Sequence, residues 1–105
     1  MEDRIQKAVE LFKSGYNCSQ SVVAAFADMY GFTQEQALRM GASFGGGIGR
    51  MRETCGAACG MFLVAGLETG ATEATDREGK AANYAVVQEL AAEFKKRNGS
   101  LICGE

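Results

Sequence analysis

The chain has 105 residues, 11 basic against 13 acidic side chains, a formal net charge of −2 and no histidine, proline or tryptophan. The length predicts one domain, residues 1–105, and the charge excludes a protein whose main work is neutralising nucleic-acid phosphates. Without histidine there is no Ser-His-Asp or Cys-His catalysis within this chain and no imidazole metal ligand. The opening MEDRIQKAVE is charged from its second residue, unlike a signal peptide. The most apolar stretch, Ala57 to Leu67, is too short to span a bilayer. A cytoplasmic protein with no membrane or nucleic-acid partner is therefore expected. In that compartment cysteines more often bind metal or do redox chemistry than form stable disulfides.

Apolar residues recur at helical spacing along most of the chain. The first helix is predicted over about Asp3–Ser14, with Ile5, Ala8, Val9 and Phe12 on its inner face and Gly15 closing it. The second starts after Asn17, which forms a capping box with Gln20. Its stripe is Cys18, Val22, Phe26 and Met29, ended by Gly31. A third opens on the capping box Thr33–Gln36 and carries Ala37, Leu38 and Met40.

The helical pattern then breaks, because Gly41 to Gly49 contains five glycines and reads as a tight, irregular loop. A fourth helix is predicted from near Glu53 or Thr54 to Glu68. Its second half is apolar all round, which marks it as central to the bundle. A fifth runs from Thr75 or Asp76, with a Thr75–Glu78 capping box, to Arg97, and turns Tyr84, Val87, Leu90, Ala91 and Phe94 inward. Phe12, Phe26 and Phe94 are expected in the core. The tail SLICGE is too short to assign. No segment alternates with period two. The fold class is all-α, a small bundle of four to five helices with a Gly-rich loop before a central cysteine-bearing helix.

That helix, TCGAACGMFLVAGLETG, carries Gly56, Gly60 and Gly66 in its interior, each costing about 1 kcal/mol against alanine. Close approach of a second helix or a bound group offsets that cost. Cys55 falls in its first turn, where the helix dipole favours a thiolate, with Arg50 and Arg52 adding to this and Glu53 opposing it. Cys18 takes the same place on the second helix. Cys59 lies one turn beyond Cys55, with Cβ atoms about 5–6 Å apart. A disulfide needs about 3.8 Å, so the pair suits a shared metal better than a direct bond. Gly46 and Gly47, with Arg50 and Arg52, form a candidate anion- or cofactor-binding loop, although no Gly-Lys-Ser/Thr follows.

Three stretches, NCSQSVVAAF around Cys18, SFGGGIGRMRETCGAACGMFLVAGLETG around Cys55 and NGSLICGE around Cys103, resemble the C_GCAxxG_C_C family of redox-active proteins. The resemblance implies a helical fold and clustered redox cysteines. A related domain occurs in a cytochrome with a split Soret band that also holds non-haem iron. An iron–sulfur cluster or a single metal ion on Cys18, Cys55, Cys59 and Cys103 is one implied cofactor; covalent haem is not implied, because no C-x-x-C-H is present. The family pattern has two cysteines after CGAxxG and this chain has only Cys103 there. Either Cys59 substitutes for the missing one, or the chain is a C-terminally shortened member.

Three functions follow. In a thiol redox protein, Cys55 attacks and Cys18 or Cys103 resolves, with a redox partner protein or a small-molecule thiol as the other reactant. In a binding module, the cysteines hold a metal or cluster. In a helical interaction protein, expected to be a homodimer, they are inert.

Overall fold

A computed structural model describes residues 2–103. The described residues form five α-helices in chain order: α1 (Glu2–Lys13), α2 (Cys18–Phe26), α3 (Gln34–Gly41), α4 (Gly56–Thr69) and α5 (Arg77–Asn98). Single 3-10 turns extend α2 (Ala27–Tyr30) and α3 (Ala42–Phe44). The architecture is all-α, as the helical spacing predicts.

Two of the three predicted capping boxes form. Asn17 Oδ1 accepts from Gln20 N at 2.8 Å while Gln20 Oε1 accepts from Asn17 N at 3.0 Å, and Thr33 with Gln36 does the same for α3. The box foreseen at Thr75–Glu78 is replaced by a simpler cap, in which Asp76 accepts from Gly79 N at 2.8 Å and α5 starts one residue later. A carboxylate one position further along serves the same orphan N–H groups. Gly15 and Gly31 take positive φ at the ends the sequence assigns them, and Gly99 does the same at the end of α5.

The centre of the molecule is the packing of α2 on α4, with α3 and α1 against other sides of α2, and α5 against α4. The core is made of small side chains. Val23, Ala24, Ala27 and Ala37 are buried, with Leu11, Phe32, Leu38, Met40 and Leu63 packed against them. This is not the stripe the spacing suggested. Cys18, Val22 and Phe26 are half-buried and Met29 is 54% exposed, whereas Ser19, Ser21, Val23, Ala24 and Ala25 are the buried residues of α2. Close approach of α4 selects the small residues of α2.

The inner face of α1 is also corrected. Ile5 and Phe12 are each 55% exposed and Val9 is 46% exposed. Arg4 explains the rotation: its Nη1 donates to Ala25 O at 3.0 Å and to Asp28 Oδ1 at 2.6 Å, so α1 docks through the edge carrying Arg4, Ala8 and Leu11. Phe12 is therefore not a core residue. Phe26 and Phe94 are half-buried rather than interior.

Helix α4 begins at Gly56, later than its sequence suggested, and its apolar second half is only half covered: Met61, Phe62, Leu63 and Val64 are each partly exposed. None of the 22 residues of α5 is buried, and its Tyr84 is 60% exposed. The single chain thus has a tight core at one end and an open apolar side at the other. No helix among the described residues is long and apolar enough to cross a membrane.

A candidate three-cysteine redox site

Three chain segments converge at the N-terminal ends of α2 and α4. Cys18 is the first residue of α2 and Cys55 is the N-cap of α4, with extended backbone. The third segment is the tail left unassigned from sequence. Cys55 N donates to Leu101 O at 2.6 Å and Cys103 N donates to Glu53 O at 2.7 Å, closing an antiparallel bridge between Thr54 and Ile102. Side chains alternate across such a ladder. Thr54 and Ile102 share one side, and Cys55 and Cys103 share the other as diagonal neighbours.

The motif glycines make this convergence possible. A Cβ on Gly56 would stand 2.9 Å from Phe44 O and 3.4 Å from the Cβ of Cys18. One turn on, a Cβ on Gly60 would stand 2.8 Å from the Cβ of Val22. The helix cost of these two glycines is offset by bringing the α4 backbone against α2, and with it Cys55 towards Cys18. Close packing was the reading the sequence supported for them.

The Gly-rich loop is a left-handed turn. Five successive residues, Gly46, Gly47, Ile48, Gly49 and Arg50, have φ between 58° and 77°, and Arg52 follows at 62°. For Ile48, Arg50 and Arg52 this costs about 1–2 kcal/mol each. The backbone N–H groups of residues 48–53 all donate to carbonyls of residues 43–48, so they are not free to cradle an anion. The turn acts as a bracket. Gly47 lies against the Cβ of Cys103, where a Cβ of its own would come within 2.6 Å, and the backbone then runs through Glu53 into the ladder. Asn17 ties the bracket to α2, because its Nδ2 donates to Ala42 O at 3.1 Å and its side chain fills the space where Gly45 would carry a Cβ. Sequence reasoning saw Asn17 only as a cap. Its position between two converging segments leaves no trace in local spacing.

The cysteines are electrostatically linked. Burial pushes the Cys18 thiol above its ordinary range, and negative charge on Cys55 and then Cys103 pushes it further. Cys18 also begins a helix, but desolvation and two neighbouring sulfurs outweigh the dipole there. Arg52 Nη1 donates to Cys103 Sγ at 3.7 Å, the only polar contact among the described residues that joins a loop arginine to a sulfur. Cys18, Cys55 and Cys103 are partly accessible, all four cysteines are free thiols, and Cys59 is buried.

Cys59 stands apart. Its Sγ donates to Thr54 O at 3.8 Å, and its thiol is pushed up by burial first and by Cys55 second. Among the described residues, no three Cys, Asp or Glu side chains stand close enough to hold a metal ion. As arranged, the cysteines do not fit a metal or cluster.

No curated protein and no solved structure matches the chain. A family model described as "Putative redox-active protein (C_GCAxxG_C_C)" matches residues 16–105, nearly the whole chain from the turn before α2 onward. The chain belongs to the C_GCAxxG_C_C family.

Proposed function

We propose that the protein performs thiol–disulfide exchange, with Cys55 and Cys103 as the reacting pair. The observation that carries this reading is the ladder joining Glu53–Cys55 to Leu101–Cys103, which holds two partly accessible sulfurs on one side of a short, hydrogen-bonded segment. Diagonal ladder positions lie about 7–8 Å apart, and a disulfide wants Cβ atoms at about 3.8 Å. Closing the bond requires the tail to slide toward α4. Two ladder hydrogen bonds are the resistance to that movement.

In the forward direction the Cys55 thiolate attacks one sulfur of a partner disulfide, forming a mixed disulfide and expelling one thiolate. The Cys103 sulfur, giving up its proton, then attacks Cys55 and expels the second. The partner gains two electrons and two protons, and the chain is left with a Cys55–Cys103 disulfide. Arg52 counters negative charge as it builds on Cys103. Cys18, with its raised thiol, holds its proton and serves as the reserve sulfur. A reducing, cytoplasmic setting suits four free thiols.

The test is oxidation of anaerobically purified protein with diamide, followed by alkylation and peptide mass mapping. A loss of two hydrogens in a Cys55–Cys103 linked peptide, reversible by dithiothreitol, with Cys59 unmodified, is the expected result. C55S should abolish the linkage. Iron or zinc bound in stoichiometric amount and released by C55S overturns the dithiol reading in favour of a metal site. Four thiols that neither oxidise nor alkylate overturn both.

A further inference from the structure

The apolar side of the molecule carries two grooves that adjoin at Val22 and together make a trench. A groove of about 340 Å³ lies between the Val22, Phe26 and Met29 stripe and Met61 and Val64 of α4, with Leu90 of α5 as its far wall. A second, of about 280 Å³, is lined by Val9 and Phe12 of α1, Cys18 and Val22 of α2 and Ala57 of α4. Val22 lines both. The ridge beside the trench is apolar too, since Ile5, Val9 and Phe12 are each about half exposed.

The exposed area says how much of this side needs covering. An ordinary compact monomer of 11.1 kDa exposes about 5,700 Å². This chain exposes 6918 Å², about 1,200 Å² more than that scaling. Its radius of gyration is 13.6 Å, against about 12.9 Å for a compact chain of this length. A stable dimer buries about 800 Å² or more on each partner, and homodimer interfaces are the more apolar kind. The excess, summed over the whole chain, is large enough to include one such interface.

From these observations we infer that the trench is covered by a second copy of this chain, in a symmetric homodimer. A two-fold interface needs a patch complementary to itself, and this side offers both a groove and a projecting apolar ridge. A net charge of −2 gives little repulsion between copies. Because Cys18 lines the trench, the dimer seam passes beside the cysteine site. Reactants then reach the sulfurs from the tail side.

Light scattering coupled to size exclusion, run on the full chain under reducing conditions, reads the mass directly. The expected mass is twice 11.1 kDa. V9E/F12E changes two side chains that are already exposed in the single chain and should weaken dimerisation roughly a hundredfold or more, with helical circular dichroism retained. M29E probes the other end of the trench and should weaken it as well. C55S should stay dimeric, which separates this inference from the thiol chemistry. A wild type that is monomeric at every concentration overturns the dimer, and binding of an apolar dye to that monomer would assign the trench to another occupant. A dimer unaffected by both trench variants also overturns it.

Discussion

The two sides of α4 solve opposite problems. Towards α2, glycines and alanines bring two backbones together until there is no room for a methyl group. Towards α5 and the trench, Met61 and Val64 are large and half covered, and a 22-residue helix lies on the surface with none of its residues buried. The first arrangement is rigid because backbone cannot yield, and it is where the three cysteines are placed. The second tolerates change because its side chains have empty space or solvent next to them. Precision in this molecule is concentrated where the three cysteine-bearing segments converge.

The largest expected effect on stability comes from another close contact of α2, the one with α3. A Cβ at Gly41 would stand 2.8 Å from Gln20 N and 2.9 Å from Gln20 Cα, both backbone atoms of α2. G41A should cost about 2–3 kcal/mol, near the upper end for overpacking, seen as a lowered urea midpoint with an unchanged slope. An equal midpoint would mean that α3 can move away from α2 freely.

A matched pair inside α4 sharpens the contrast. At Gly60 an added Cβ meets Val22 Cβ at 2.8 Å and Ser19 O at 3.2 Å, while at Gly66 nothing lies within 4 Å. G60A should destabilise by about 1–2 kcal/mol after its gain in helix propensity, and G66A should stabilise by up to about 1 kcal/mol. The same substitution six residues apart then changes sign. If both stabilise, the α2–α4 contact yields more readily than a 2.8 Å approach to Val22 implies.

Asn17 lies between these cases, because it caps α2 and also ties down the loop through Ala42 O. N17A should cost about 1 kcal/mol as a lost cap, plus the loop contact. N17S should restore the cap but not the tether. Recovery of stability in N17S without recovery of Cys55–Cys103 oxidation would show that the tether positions the tail.

What was legible in the sequence follows the range of the forces involved. Capping boxes act over three residues, so Asn17–Gln20 and Thr33–Gln36 could be read directly. Gly56 and Gly60 of α4 announced a close approach because each is costly in a helix and needs a reason, but the same reading fails at Gly66, where nothing lies close. The rotation of α1 could not be read, since it depends on Arg4 reaching across to Ala25 and Asp28, more than twenty residues away. The tail was illegible for the same reason: Leu101 and Cys103 find partners only after the loop has placed Glu53 and Cys55. Candidate cysteines could be named from their neighbours, whereas the burial of Cys59, against the partial exposure of the other three, needed coordinates.

The smallest effect tests whether the three sulfurs sense one another. Burial is the main reason the Cys18 thiol is raised, and charge on Cys55 and Cys103 adds to it. A raised folded-state thiol stays protonated where an unfolded one has begun to ionise. Its alkylation by iodoacetamide should therefore keep accelerating with pH beyond the range in which an ordinary thiol, half ionised near pH 9, levels off. The stability linked to that proton is full below the ordinary thiol range and declines as pH climbs through the raised value. C55S removes one of the two charges but leaves the burial intact, so the midpoint for Cys18 should fall part of the way back, and C55S/C103S should move it further in the same direction. A Cys18 profile indifferent to both substitutions would mean that burial alone sets it, and that the sulfurs share a neighbourhood without sharing charge.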